Sequence, residues 1–456
     1  MSVKTVVDNI NYAAVIKRLQ NVRKHSNADR LNCCSVEYNN CIVGQDLKDG
    51  DYVVYFPLEC QMNADMLSYL NQFADTEKNR DKTVKGYFGT QRRVRTLKLR
   101  GEKSEGFVMP LENFISWIDS LKGLPTHPTL EEWQGMEDKH FQTLEFGSVQ
   151  LQVCIKYELP VKQEQGAQKK KKSEDKLKYV LIPGQFRLGE DVPNIRRCLS
   201  EVIPTPATEI SVSYKMHGCS ATIGNVLTCR KLSLFEKLIK KFVKLETSEY
   251  AIVHASRNVI KGASNNKKFT ERKQDHFYDR DIWGLMAAKY AYAIEPGITL
   301  YGEIVGRDPL TLKYVQKDYD YGLKGDLDFF VFRMTYTTPQ GNVMEFSTRE
   351  LVAYCKKYGL KYAPVFYIGR ASDLFEMSYE DEWHKTFLTK LEETYTDKKC
   401  FMCDNNVPEE GVVIRTAYGE WHCGKLKSFK FLERETVLLD QNVTNMEDED
   451  AANTQL

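Results

Sequence analysis

Seven positions between residues 215 and 427 carry side chains whose types and order could do chemistry. Ser213-Tyr214-Lys215-Met216-His217-Gly218 puts a lysine at the end of a strand-like segment, followed by a glycine that permits a tight turn. Arg257 follows in HASRN, Glu303 in LYGEIVG and Phe332 in DFFVFR. Glu410 opens EGVVIR, and Lys425 and Lys427 alternate in GKLKSFK. Residues two apart on a strand share a face, so both of these lysines can reach one pocket. One chemistry that such a set suits is attack by a lysine amine on a nucleotide α-phosphate. A free lysine is neutral in only about one part in a thousand near pH 7.4. Neighbouring cations disfavour its ammonium form while neutralising triphosphate oxygens, and a divalent metal would add to both effects. Phe332 suits stacking on a purine, and the carboxylates suit ribose hydroxyls and metal ions.

Singly, each residue has a plainer explanation. A lone Lys-x-His-Gly arises by chance, a strand glutamate is usually a surface residue, and an aromatic in DFFVFR is more often core. Paired lysines near a C-terminus usually mark a solvated strand face. Their occurrence together, in order and at domain-scale spacing, is what asks for a common explanation.

The elements that must position them are mostly short strands. EISVSYK, TLYGEIV, DFFVFRM and EGVVIRT alternate with helical stretches such as DIWGLMAAKYAYAI and TRELVAYCKKYG. Within Lys231–Leu245, apolar residues at 234, 235, 238, 239, 242 and 243 lie opposite a lysine-rich face. That pattern predicts a surface helix packed between two strands, in preference to a membrane- or RNA-touching one. Upstream, NCCSVEY, CIVG, DYVVYFP, RVRTLKLRG and EGFVMP read as strands around a more helical Met62–Phe73, which suggests a small OB-like barrel. Between Lys82 and Lys103 eight Lys/Arg stand against one acid, Glu102, with Tyr87 and Phe88 interleaved. Cations beside aromatic rings are the physics of single-strand or end binding, and Arg92, Arg93, Arg95, Lys98 and Arg100 are the candidate RNA contacts.

Globally the chain is unremarkable: 456 residues, 42% hydrophobic, 28% charged, net charge +1. This excludes dominant disorder and any strong overall field. No apolar run is long enough to span a bilayer, and the start lacks the features of a secretory signal. The 12 scattered cysteines read as reduced thiols of a cytoplasmic protein. A zinc module of Cys400, Cys403, His422 and Cys423 is disfavoured by the adjacent second pair. Lys162–Lys176 is too polar to order itself by burial and reads as a linker. The expected organisation is an N-terminal OB-like RNA-binding module at 1–160, a charged linker at 161–178, a domain of strands and helices carrying the seven positions at 179–440 and an acidic tail at 441–456.

From about Ile182 to Leu432 the chain resembles the covalent nucleotidyltransferases, the superfamily of polynucleotide ligases and capping enzymes. YKMHG, HASRN, YGEIVG, DYGLKGDLDFFVF, EGVVIR and KLK are similar to motifs I, Ia, III, IIIa, IV and V of its RNA ligase 2-like branch. His217 stands where DNA ligases and capping enzymes typically carry Asp. HSNADRL, LKDGDYVVYFP and RVRTLKLRGEKSEGFVMPL resemble the N-terminal OB module of Deinococcus-type RNA ligases, and GQFRLGEDVPNIRR resembles the segment joining it to the catalytic domain. The chain departs from the branch at Tyr214, where an acidic residue is common, at Arg333, where Asp is common, and in the inserted Lys231–Leu245 stretch. Few residues follow Lys427, so the C-terminal helical domain of some relatives is expected to be absent.

The resemblance implies an α+β fold, an OB-like barrel followed by an adenylyltransferase domain of antiparallel sheets with flanking helices. It also implies an ATP-dependent RNA ligase, using Mg²⁺ or Mn²⁺, that joins 3′-hydroxyl and 5′-phosphate RNA ends at breaks in a duplex. Lys215 would carry AMP, Gly218 would shape the turn, and His217 would sit near phosphate and metal. Arg257 would contact ribose or the RNA end, Glu303 ribose or metal, Phe332 the adenine and Glu410 a metal. Lys425 and Lys427 would hold the α-phosphate. The rival expectations are a guanylyltransferase-type capping enzyme and a non-catalytic RNA-end-binding protein.

Overall fold

Tyr52–Pro57 is apolar at nearly every position because both of its faces are covered. It pairs antiparallel with Ala14–Arg18 on one side and Gly106–Pro110 on the other, and His140–Phe141 extends the sheet. The period of two divides its side chains between two cores. Val15, Val53, Tyr55 and Val108 meet Cys34, Val36, Cys41 and Val43, which come from the Leu31–Val36 and Asn39–Gly44 strands of a three-stranded sheet. Ala14, Ile16, Val54 and Phe56 share the other core with Phe114 and Trp117 of helix Leu111–Ser120. The computed structural model describes residues 3–159, 180–264, 281–377, 382–418 and 421–441. The expected linker at 161–178 and residues 442–456 of the expected tail lie outside the described residues. Met1–Glu158 and Leu432–Val437 form one compact unit, and Leu159–Phe431 with Leu438–Leu456 the other.

In the first unit RVRTLKLRG is less regular than its alternation predicts. Only Leu97–Leu99 is strand, paired with Glu102–Ser104. Arg92, Arg100 and Gly101 adopt positive φ (57°, 48° and 101°) and turn the chain on either side.

The second unit holds two sheets. A seven-stranded sheet runs in the order Ile260–Ser264, Ser248–Ala255, Cys219–Cys229, Ile298–Gly306, Leu327–Thr337, Val343–Glu345, with Lys361–Tyr362 added parallel to Leu327–Thr337. Helices Ile282–Tyr290 and Thr348–Tyr358 cover it. A four-stranded antiparallel sheet has the order Val365–Arg370, Glu209–Tyr214, Gly411–Thr416, Cys423–Lys427. It packs on helices Ile195–Val202 and Trp383–Tyr395. Between the sheets lies a smaller cluster, including Tyr214, Met216, Val305, Tyr319, Tyr321, Phe330, Cys400, Cys403 and Phe431. The chain leaves the four-stranded sheet at Tyr214 and enters the seven-stranded sheet at Cys219.

One expectation is overturned. The Lys231–Leu245 segment contains only a short helix, Leu234–Ile239, and its apolar face is bare: Leu234 is 86% exposed, Phe235 71% and Phe242 84%. The segment connects the two strands of the hairpin formed by Cys219–Cys229 and Ser248–Ala255, beyond their last register pair, Cys229 with Ser248. Among the described residues, no helix is long and apolar enough to cross a membrane.

Phe114 is fully buried, with ring centroids 5.7 Å from Trp117, 5.5 Å from Trp133 and 5.9 Å from Phe141. Phe114→Ala should destabilise the first unit by about 3–5 kcal/mol. Denaturant unfolding followed by tryptophan fluorescence checks this, because Trp117 and Trp133 report from that core.

Candidate active site

Lys215 is the first residue beyond the Glu209–Tyr214 strand, and its backbone N–H donates to the carbonyl of Gly411 (2.9 Å). Gly411 stands at φ 135°, and a Cβ there would lie 2.0 Å from the carbonyl oxygen of Leu426. Only glycine allows that approach, and the approach brings the preceding residue, Glu410, against the lysine. Lys215 Nζ lies 2.7 Å from Glu410 Oε1, which is also 3.6 Å from Lys427 Nζ; Glu410 Oε2 is 3.7 Å from His217 Nδ1. Burial alone would raise the Glu410 carboxyl, but Lys215, Lys427 and His217 together outweigh it and hold the group at about 2. Glu410 is therefore ionised at any physiological pH. Its Oε2 is buried and makes no hydrogen bond.

Register places the other cations. Gly411 pairs with Lys427 and Val413 with Lys425, so both lysines share one face of the sheet, as their alternation predicts. Lys425 and Arg257 do not meet Glu410. They converge instead on Asp191, 3.5 Å from Lys425 Nζ and hydrogen-bonded by the Arg257 guanidinium. Asp191 is held there because Lys425 N–H donates to the Pro193 carbonyl (2.8 Å). Burial pushes Lys425 down to about 8; Asp191 opposes this, while Lys427, Lys215 and Arg257 reinforce it. Three lysines and an arginine thus act on one another across two carboxylates.

The turn beyond Lys215 is clamped. His217 N–H donates to the Tyr321 hydroxyl (2.6 Å), which lies 3.2 Å from, and can donate to, the His217 carbonyl. Burial keeps that phenol well above its ordinary pKa, so it stays neutral and does both. Gln316 Nε2 donates to the Gly218 carbonyl (2.8 Å). The His217 ring meets Tyr319 and Phe431 edge-on, at 4.7 and 4.8 Å between centroids. A Cβ on Gly218 would fall 2.4 Å from the Ile304 carbonyl oxygen, so this glycine is required by close packing. On the strand side, the Tyr214 hydroxyl donates to Cys400 Sγ (3.0 Å), which accounts for a tyrosine before the lysine.

Glu303 is the one half-buried residue on the otherwise buried Ile298–Gly306 strand, registered with Ser220 and Phe330. Phe332 lies at the bulge opposite Tyr301 and Gly302. It is half-buried and packs on the cluster containing Tyr214 and Met216. A bulge re-aims one side chain, which separates Phe332 from its buried neighbours. Arg333 turns away to form a bidentate pair with Glu345.

In the first unit the candidate RNA contacts divide. Lys98 and Arg100 are exposed near the tip of the Leu97–Ser104 hairpin, and Arg95 lies over the half-exposed Tyr87 ring at 5.6 Å. Arg92 donates to the Met62 carbonyl (2.8 Å). Arg93 is buried: it pairs with both oxygens of Glu59 at 2.9 Å and donates to the Thr436 carbonyl. It is an internal ion pair where an exposed RNA contact was expected. The cysteines considered for zinc fall apart too, since Cys400 and Cys403 lie against Tyr214 while Cys423 packs beside Cys198. Among the described residues, no three His, Cys, Asp or Glu side chains gather into a metal cage.

Tyr321, Gln316 and Asp191 were not singled out in the sequence. Tyr321 and Asp191 lie inside segments that carry the family resemblance, but neither has a spacing that marks it.

Residues 208–432 match the RNA ligase family, and residues 13–111 match an OB-fold domain. No curated protein matches the sequence. Among solved structures, a Naegleria gruberi RNA ligase variant with AMP and Mn is 17% identical, with a TM-score of 0.54 over 92% of this chain and 98% of that one. A second variant, with ATP and Mn, is 18% identical with a TM-score of 0.53 over the same shares. The N. gruberi enzyme with PPi is 17% identical, with a TM-score of 0.51 over 93% and 98%. At these identities the likeness is one of fold, and it extends over both units.

Tyr321→Phe removes both hydrogen bonds to His217 and little volume. The fold should survive, while the rate of chemistry at Lys215 falls roughly 10–100-fold through misplacement of the turn. Single-turnover rates alongside thermal melting check the separation.

Proposed function

We propose that this chain, whose residues 208–432 match the RNA ligase family, is an ATP-dependent ligase that joins RNA 3′-hydroxyl and 5′-phosphate ends through lysyl-AMP and RNA-adenylate. The observation that carries this reading is Lys215 at a strand exit, in contact with buried Glu410 and flanked by Lys427 and Lys425. A pocket holding four cations takes a polyanion, and a lysine within it takes the role of nucleophile.

In the first step the Lys215 amine attacks the α-phosphorus of ATP, loses its proton, and pyrophosphate leaves as the α–β bond breaks. Lys425 and Lys427 hold the α-phosphate oxygens and offset the charge that builds there. Arg257 contacts ribose or the RNA end, Glu303 faces ribose or metal, and Phe332 offers its ring to adenine. In the second step an oxygen of the RNA 5′-phosphate attacks the adenylate phosphorus and returns Lys215 free. In the third, the 3′-hydroxyl attacks the 5′-phosphorus and AMP departs.

The donor set suits a divalent metal. Glu410 is ionised, with one buried oxygen that makes no hydrogen bond, and no separate cage stands among the described residues. Mg²⁺ and Mn²⁺ commonly bind through one or two carboxylates together with substrate phosphates, which Glu410 and Glu303 could supply. When bound, the ion adds charge neutralisation at the phosphates. It would also compete with Lys215 for Glu410 and so loosen the ion pair that occupies the amine. The relatives solved with ATP and Mn support both ligands here.

A nick whose 3′ side is RNA is the proposed acceptor, read through the A-form surface and its 2′-hydroxyls. Arg95 with Tyr87, Lys98 and Arg100 would grip the strand beside it.

Incubation with labelled ATP or GTP and nicked duplexes differing only in the sugar at the break tests this reading. ATP should leave a covalent adenylate on wild-type protein and none on Lys215→Ala, and sealing should require a ribose 3′ end. Label from GTP alone would make it a capping-type enzyme, and an unmodified protein would leave only an RNA-binding role.

A second expectation concerns pH. Lys425 sits below the ordinary lysine range, so its cation is complete well under pH 8 and lost as pH rises through about 8. ATP capture should weaken over that window, as an alkaline limb in kcat/KM for adenylylation. Lys425→Arg should move the limb to higher pH, since arginine stays charged.

A further inference from the structure

The segment Lys231–Leu245 is built into the fold yet serves no part of the site. It crowns the hairpin whose last register pair is Cys229 with Ser248. Its neck is closed by Arg230, whose backbone N–H donates to the Thr247 carbonyl (2.9 Å), whose Nε donates to the Glu246 carbonyl (2.9 Å), and whose Nη1 meets Glu236 (2.8 Å). A capping box between Ser233 and Glu236 then starts the helix. These bonds fix the base of the segment, and its apolar residues remain in water.

Leu234, Phe235, Leu238, Phe242 and Val243 are all more than half exposed, within ten residues. A run of this kind marks a contact surface, because isolated exposed apolar residues are common and clusters are not. Lys231, Lys237, Lys240, Lys241 and Lys244 are exposed beside them. The one acid within the segment, Glu236, is engaged by Arg230 and by the Ser233 cap. The surface therefore offers cations and aliphatic groups together.

We propose that this crown is an interfacial anchor that docks on membranes containing anionic phospholipid. Charge selects the occupant: lysine ammonium groups meet lipid phosphates and carboxylates while Leu, Phe and Val enter the acyl boundary. RNA would satisfy the lysines, but the aliphatic side chains have no base to stack on and would stay wet. A second protein would cover the apolar ridge, but would need matching acids for five lysines. A six-residue helix with its flanking turns is too short to cross a bilayer, so the anchor would lie on its surface. It also lies far from Lys215. The 11-residue Cys219–Cys229 strand separates Gly218 from the neck, a span of roughly 35 Å at ~3.3 Å per residue.

That distance separates this inference from the ligase reading. The full-length protein is floated with phosphatidylcholine vesicles and with phosphatidylcholine–phosphatidylserine vesicles, and lysyl-adenylate formation is measured on the same samples. Anionic vesicles should retain the protein at least about tenfold better than neutral ones, with the difference shrinking at high salt. The double variant Phe235→Ser, Phe242→Ser and the quadruple variant with Lys237, Lys240, Lys241 and Lys244 changed to Gln should each lose about tenfold in retention. Both should adenylylate as wild type does. Equal retention of wild type and variants, or none on anionic vesicles, overturns the anchor whatever the catalytic result. So does duplex RNA binding or self-association that these substitutions abolish while vesicle binding is absent. Vesicle binding that follows the variants in a protein that forms no adenylate would sustain the anchor and sink the ligase reading instead.

Discussion

A single buried carboxylate organises the catalytic unit. Glu410 receives Lys215 and Lys427 on one oxygen and faces His217 with the other. Removing it would leave two lysines and a histidine without their shared carboxylate inside a protein, where unpaired charge is far more costly than on the surface. The backbone around it is shaped accordingly. Gly411 takes a conformation closed to other residues so that its carbonyl can accept from Lys215 and its predecessor can face inward. Ser428 N–H donates to the Glu410 carbonyl from the other side (2.9 Å), tying the end of the Cys423–Lys427 strand to the same residue.

Around that centre the two sheets divide the work. The four-stranded sheet supplies Lys215, Glu410, Lys425 and Lys427 from adjacent strand ends, so their separations are set by ladder geometry. The seven-stranded sheet supplies Glu303 and Phe332 from neighbouring strands. The four residues between the sheets, 215–218, form a short turn that Tyr321 and Gln316 hold at His217 and Gly218, while Tyr214 is fixed at its start. A lysine on so brief a connection has little freedom to wander, which would lower the entropic cost of attack in the role proposed for it.

Much of this was legible from local pattern. Alternation put Lys425 and Lys427 on one face, the strand-then-glycine run put Lys215 at an exit, and strand-like runs found members of both sheets without dividing them. What stayed hidden depends on distance in space rather than along the chain. Asp191 meets Arg257 and Lys425 across separations of 66 and 234 residues. Tyr321 reaches the turn across 104. Arg93 was misread because a tally of charges says nothing of direction, and this guanidinium points inward to Glu59. The Lys231–Leu245 face was misread for a related reason. Periodicity reveals that a segment has two sides, and only the fold decides whether anything covers the apolar one.

Asp191 gives the resting pocket an occupant of its own. A carboxylate bridging Arg257 and Lys425 imitates, in charge and size, one arm of a phosphate chain. An incoming anion must first evict it, and that toll is the same for every ligand. Orthophosphate would recover little from the exchange, whereas a nucleoside triphosphate bound as proposed would engage several cations at once and recover much more. On the proposed reading the tethered acid would thus set a threshold on ligand length, favouring a long anion over small ones.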